Sequence, residues 1–208
     1  MLPRIISLSG LQGSGKDTVA DYLCDVYGYE RISFASSLKD ATAAIFSWDR
    51  EMLEGRTPAA RAKREEVDEW WEDRLQIPCL TPRIVLQQLG TEVFRNTFHP
   101  DIWLASLERK IMTAPADARF VITDCRFENE ICMLRKLNAA IFWIQRGPLP
   151  AWWQDAQKGK FPADIHVSET GWIQYIVSSS KTSSNCIENN GTLDDLYKKI
   201  KEYIIPSV

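Results

Sequence analysis

Residues Gly10-Leu11-Gln12-Gly13-Ser14-Gly15-Lys16-Asp17-Thr18 stand between an apolar run, Ile5-Ile6-Ser7-Leu8, and a helix-patterned stretch from Thr18 to Tyr27. A strand that feeds a glycine loop opening a helix is the context a phosphate-binding P-loop requires. Glycines let the backbone turn tightly with its N–H groups inward, and the positive end of the helix dipole points into the same space. Lys16 adds a full positive charge for the β- and γ-phosphates of a nucleotide. The hydroxyl that usually follows the lysine is replaced by Asp17, with Thr18 one place later. Two readings of Asp17 stand side by side. It is a hard oxygen donor for Mg²⁺, directly or through water, or a first-turn acid favoured by the dipole.

A chain of 208 residues holds one α/β domain with a sizeable core, plus an insertion or lid. The expected organisation is a single domain over 1–208, with 49–80 a helical substrate-side insertion and 146–165 a lid-like segment. A formal net charge of −3 provides no global grip on nucleic acid or on an anionic membrane. No apolar run approaches a membrane span, and Met1-Leu2-Pro3-Arg4 leads into a strand, so a cytoplasmic enzyme is the expectation. The five cysteines are scattered and never form a C-x-x-C pair, which reads as reduced, buried thiols. His99 and His166 are too far apart to found a metal site. Trp70-Trp71 and Trp152-Trp153 lie in charged segments. Each pair either closes over a nucleotide or packs one ring and half-exposes the other.

Alternation of apolar runs with amphipathic stretches continues along the chain. Strands are expected at Glu30 to Phe34, Arg119 to Asp124, Ala139 to Ile144 and Asn185 to Glu188. Helices are expected from Ser36-Ser37 to Phe46, from Thr81-Pro82 through Val93 with Gly90 interrupting, from Asp101 through Met112, from Glu128, and from Thr192 to Ile204. The fold class is therefore α/β, a P-loop-type three-layer fold with a parallel sheet flanked by helices. Asp49 to Cys79 is dense in mixed charge, and Ser178 to Ser184 reads as a polar loop. Asp124 ends an apolar strand, where a carboxylate beside the phosphate site belongs in such a sheet. Arg126 follows it, with a planar fork suited to phosphate and a structural pair with Asp124 or Glu130 as its alternative.

Several blocks occur together and in order: Gly13 to Ala20, Phe34-Ala35 with Leu38-Lys39-Asp40, Leu89-Gly90-Thr91-Glu92, Asp101-Ile102-Trp103, Asp124-Cys125-Arg126-Phe127-Glu128-Asn129-Glu130, His166-Val167-Ser168-Glu169, and Asn189 to Leu193. In these the chain resembles the tailed-phage deoxynucleoside monophosphate kinases over nearly its whole length, the lysine-aspartate P-loop and the Asp-x-Arg-x-x-x-Glu block being the most diagnostic. The resemblance implies transfer of the γ-phosphoryl of ATP, as its Mg²⁺ complex, to the 5′-phosphate of a deoxynucleoside monophosphate. It also suggests a homodimer, in a host cytoplasm if the chain is phage-encoded. The P-loop, Gly10 to Thr18, then binds ATP, with Asp17 and Asp124 toward the metal and Lys16, Arg126 and Arg146 toward the transferring group. Lys39, Arg83 and Arg126 are the acceptor-phosphate candidates, with Asp124 and Glu130 beside them on the substrate side. Phe34, Gln87, Gln88, Trp103 and Trp48 are candidates for the base.

Three other readings keep the same nucleotide cradle. One is a kinase of another phosphorylated metabolite, of the phosphomevalonate or dephospho-coenzyme A type. Another is a kinase of a modified base within DNA, whose affinity would fall steeply with salt. The third is a non-catalytic nucleotide switch, stabilised by ATP and by no monophosphate.

Overall fold

A computed structural model of the chain describes residues 2–161, 165, 170–176 and 185–205. The blocks His166 to Glu169 and Ser178 to Ser184, and part of the segment 146–165, lie outside the described residues. The chain folds as two compact units: residues 1–33 with 111–208, and residues 34–110. The helical unit thus begins before the segment 49–80 and ends after it.

In the first unit, strands β1 (Ile5–Ser9), β2 (Glu30–Ile32), β3 (Phe120–Ile122), β4 (Ala140–Gln145) and β5 (Cys186–Glu188) form a sheet ordered β2-β3-β1-β4-β5, every pairing parallel. Parallel strands carry apolar runs because both faces are covered, and β1 is buried along its whole length. Alternation sends Ile6, Leu8, Val121, Phe142, Ile144 and Ile187 to one face, where they pack on helix α1 (Lys16–Tyr27) through Val19, Ala20 and Leu23. The same cluster includes Leu196, Ile200 and Ile204 of the C-terminal helical stretch. Each such side chain contributes about 1.5–3 kcal/mol of apolar burial. On the opposite face the short helix Ile173–Ile176 packs against β4 and against helix Glu128–Lys136.

After β1 the chain builds β2 and β3 on one side, then β4 and β5 on the other. The carboxyl end of β1 is therefore the switch point of the sheet, where open α/β folds bind ligands. The glycine loop emerges there.

The helical unit holds α2 (Ser36–Phe46), α3 (Arg50–Glu54), α4 (Pro58–Lys63), α5 (Glu69–Leu75) and α6 (Pro82–Gln87). Asp49, Thr57, Asp68 and Thr81 cap α3, α4, α5 and α6 by accepting from main-chain N–H groups, so the charged excursion is three short, individually capped helices. Ser36 and Ser37, in the first turn of α2, do not cap it. Ala35 is the N-cap, and the Ser37 hydroxyl is 2.7 Å from that of Ser106. Nor does Gly90 end its helix. The chain continues from α6 as a π-helix, Gln88–Phe98, and Gly90 admits a close neighbour, since a Cβ there would lie 2.8 Å from Leu38 Cδ2. Two cysteines also depart from expectation, for Cys79 and Cys132 are exposed while Cys125 is buried. All five are free thiols. Helix α7 (Ile102–Thr113) follows.

Glu54 organises the charges of this unit. Burial raises its carboxyl, but hydrogen bonds from Lys39 at 2.8 Å and Arg50 at 2.7 Å outweigh that and hold it at about 2. With the folded value below the ordinary 4.5, the ionised group stabilises the protein at neutral pH. That contribution is lost as pH falls from about 4.5 through about 2. Glu54→Gln is expected to cost about 2–3 kcal/mol at pH 7 and clearly less at pH 3. Urea unfolding at both pH values checks this, and an equal cost at both would refute it.

Candidate functional site

The loop between β1 and α1 is held by backbone conformations that L side chains avoid. Gly10, Gly13 and Gly15 have φ of +148°, +76° and +103°. A Cβ on Gly10 would lie 2.6 Å from both Ile144 O and Ser14 Oγ, so the loop is pressed against the β4 backbone. Ser14 N–H donates to Leu11 O at 3.2 Å, and Val19 N–H to Gly15 O at 3.1 Å, the first turn of α1. Lys16 folds back over the loop, its Nζ donating to Gly10 O at 2.8 Å and Leu11 O at 3.0 Å. An ammonium held by two carbonyls at the glycine loop that opens α1 puts positive charge beside the helix N-terminus, where an anion is favoured.

Asn189 supports the loop from outside, donating through Nδ2 to Ser14 O at 2.9 Å. Asn190 Oδ1 accepts from Gly147 N–H at 2.7 Å. The Asn-Asn-Gly-Thr block that ends the sequence pattern thus positions both the P-loop and the turn after β4. The Thr192 hydroxyl then caps the closing helix by accepting from Asp195 N–H.

Asp17 lies in the first turn of α1 and pairs with Arg31 of β2. Arg31 also donates to Asp21 Oδ1 at 3.2 Å and to Thr123 Oγ1 at 3.0 Å. Asp124 follows Thr123 just beyond β3. Cys125 between Asp124 and Arg126 is buried, and burial pushes its thiol well up, so it is a neutral packing group. Glu130 is buried and accepts through Oε2 from the main-chain N–H of Arg126 at 2.8 Å and of Phe127 at 3.1 Å. It ties down the turn that presents Arg126 and satisfies N–H groups at the start of helix Glu128–Lys136.

Arg146 and the P-loop line one cavity. Its walls include Leu11, Gln12 and Ser14 from the loop, Gln145 and Arg146 from the end of β4, and the rings of Trp143, Trp153 and Trp172. Trp143 and Trp153 are stacked with centroids 5.3 Å apart. Trp153 is buried and Trp152 half-buried. In the helical unit Trp71 donates to Phe46 O while Trp70 is exposed. In each pair one ring packs.

Every base candidate lies in the helical unit. Phe34 and Trp103 are buried there, and Trp103 donates to Gly90 O at 2.9 Å. Trp48 donates to Asp68 Oδ2 at 2.7 Å and stacks on Phe46. Gln87 and Gln88 are exposed at the junction of α6 and the π-helix. Lys39 is paired with Glu54, and Arg83, exposed, with Glu65 at 2.8 Å.

Sequence reading passed over one cation of this unit as part of a charged surface. Arg64 donates through Nη1 to Leu53 O at 3.3 Å, and its Nε is buried without a partner. Burial and the neighbouring Arg83 lower its pKa. Gly55 makes the room, for a Cβ there would lie 2.5 Å from Arg64 Cζ. The missed signal was that glycine nine residues before the arginine, visible only once α3 and α4 are folded together.

Among the described residues no group of three or more His, Cys, Asp or Glu could hold a metal ion alone. Nor, among the described residues, is any helix long and apolar enough to cross a membrane.

A parallel sheet with its switch point at a glycine cradle, and a lysine folded over that cradle, defines a P-loop nucleotide-binding protein. The family model for deoxynucleotide monophosphate kinase matches residues 72–200. A protein of Acanthamoeba polyphaga mimivirus provisionally given that name is 30% identical over 94% of this chain and 93% of its own. The deoxynucleoside-5′-monophosphate kinase of Escherichia phage T5 is 29% identical, covering 64% of this chain and 72% of its own. The deoxynucleotide monophosphate kinase of Enterobacteria phage T4 is 23% identical over 95% and 97%. The chain belongs to the deoxynucleotide monophosphate kinase family.

Proposed function

We propose that this protein transfers the γ-phosphoryl group of ATP to the 5′-phosphate of a deoxynucleoside monophosphate, giving the diphosphate and ADP. The observation that carries this reading is the Lys16 ammonium held over the glycine cradle by Gly10 O and Leu11 O, in a member of this family.

The reaction brings two anions together, and its transition state spreads charge over the equatorial oxygens of the transferring group, so positioning and positive charge do most of the catalysis. The loop N–H groups and Lys16 hold the donor. Asp124, just beyond β3, would be a hard oxygen donor toward Mg²⁺. When bound, the metal neutralises charge on the β- and γ-oxygens. Arg146, on the cavity wall it shares with the loop, bears on the transferring group. Arg126, on the turn that Glu130 fixes, bears on the acceptor phosphate. Arg64, Arg83 and Lys39 supply positive charge in the helical unit, Arg64 being the one with a buried donor still to satisfy. An acceptor phosphate is already largely ionised near pH 7, so no general base is required.

The direct test is ADP release with MgATP against the four deoxynucleoside monophosphates, their ribose counterparts and phosphomevalonate. Rapid turnover of one or more deoxynucleotides is expected. ATP binding with no turnover of any acceptor would overturn the reading.

Arg126→Ala is expected to reduce kcat/KM for every accepted monophosphate by about 10²-fold, alike for each base, because a guanidinium there reads phosphate. Initial rates across the substrates check this, and a loss confined to one base would move Arg126 into the base pocket.

A further inference from the structure

We propose that Asp17 is the counter-ion of Arg31 rather than a ligand of the nucleotide's metal, and that Arg31 is a positioning residue locking the first turn of α1 to the end of β3. The inference rests on the kinase reading for its nucleotide readout, though not for its geometry. Arg31 stands opposite Val121 in the β2–β3 register. Val121 belongs to the face packed on α1, so strand alternation aims Arg31 at the same helix. One guanidinium serves three partners from two elements. Its Nη2 meets Asp17 Oδ1 and, at 3.0 Å, Thr123 Oγ1, while its Nη1 meets Asp21 Oδ1 at 3.2 Å. The Arg31 side chain is only 15% exposed, against 75% and 60% for the two aspartates, so the cation is the fixed member and the carboxylates are drawn to it.

Physical chemistry requires such a cation. Asp17 and Asp21 are four residues apart, on one face of α1, where like charges repel. Asp17 also adjoins Lys16, in a loop built for polyanions, where an uncompensated carboxylate would repel the nucleotide's phosphates. Arg31 cancels both effects with a fork whose geometry a lysine cannot reproduce. Through Thr123 the same fork fixes the residue next to Asp124. Asp17 is tied back to the sheet edge by Arg31.

The test uses the wild type, Arg31→Met, Asp17→Asn, the double variant and Arg31→Lys. ATP affinity is measured by calorimetry in EDTA and in excess Mg²⁺. Arg31→Met is expected to weaken metal-free ATP about five- to tenfold, because it uncovers the Asp17 charge. Asp17→Asn is expected to keep the gain in affinity that Mg²⁺ brings. The double variant should recover most of the loss, having neither charge, and Arg31→Lys only part of it. A ligand role for Asp17 gives the opposite pattern: Asp17→Asn abolishes the Mg²⁺-dependent gain, and the double variant is worse than Arg31→Met. Either that pattern or unaltered ATP binding by Arg31→Met overturns the proposal.

Urea midpoints of the same proteins read the pairing without nucleotide. Non-additivity between positions 17 and 31 is expected, and additive midpoints would overturn it. Failure of the wild type to bind ATP would sink the kinase reading, and the midpoints would still decide the pairing.

Discussion

Lys16→Ala is expected to lower turnover by about 10²–10³-fold while changing acceptor affinity by no more than about threefold. The size follows from how the ammonium is held. Two carbonyls of its own loop, Gly10 O and Leu11 O, fix it at 2.8 and 3.0 Å, so it is in place before the donor arrives and needs no reorganisation during transfer. Charge that grows on the transferring oxygens would then meet a charge already fixed at the loop. Both carbonyls belong to a loop fixed independently by Asn189 and by the main-chain bond from Ser14, so the fold does not depend on this side chain. The thermal midpoint of the free protein should move little. Single-turnover kinetics with saturating acceptor measure the chemical step, and calorimetry with the monophosphate measures acceptor binding. Unchanged single-turnover rates would remove Lys16 from the site. A parallel collapse of acceptor affinity would mean that the two substrates share the cradle.

The glycine loop with its lysine was legible because its pattern is local. A strand, three glycines, a lysine and a helix are contiguous in sequence, and the structure keeps them contiguous. The cap at Thr81 with Pro82 and the helix start at Thr192 were readable for the same reason. What escaped depends on contacts between distant segments. Arg31 looked like an ordinary strand residue, yet its three partners come from α1 and from the segment after β3, 10 to 92 positions away. Arg64 was one of several arginines in a charged stretch, and only the packing of α4 against α3 buries its Nε over Gly55. Lys39 carried a cation's promise in sequence, but its partner Glu54 lies 15 residues on, one helix away. Ser36 and Ser37 mimic a capping signal, and the tertiary partner Ser106 wins the hydroxyl. Periodicity shows which face is buried, and it does not show which charge will meet which.

Gly10→Ala is expected to destabilise the protein by about 2–5 kcal/mol and to abolish ATP-dependent stabilisation, a larger effect than any other glycine of the loop should give. Two costs add at this position. The backbone sits at φ +148°, which an L side chain rarely adopts. The new Cβ would also meet Ile144 O at 2.6 Å and Ser14 Oγ at the same distance. The hydroxyl can rotate away, but the Ile144 carbonyl is β4 main chain and cannot yield without moving the loop off the sheet. That displacement would carry Gly10 O with it, and with Gly10 O goes one of the two anchors of Lys16. Gly13→Ala separates the two costs. Its φ of +76° is strained, yet nothing lies within 4 Å of the added Cβ. It is expected to cost about 1 kcal/mol and to keep most of the ATP response. Urea unfolding with and without MgATP measures both variants. At roughly 2–4 °C per kcal/mol for a chain of this size, the thermal midpoints should fall by about 5–15 °C for Gly10→Ala and a few degrees for Gly13→Ala. Equal losses in the two would mean that backbone strain alone sets the loop. A Gly10 variant still stabilised by MgATP would mean that the cradle tolerates separation from β4.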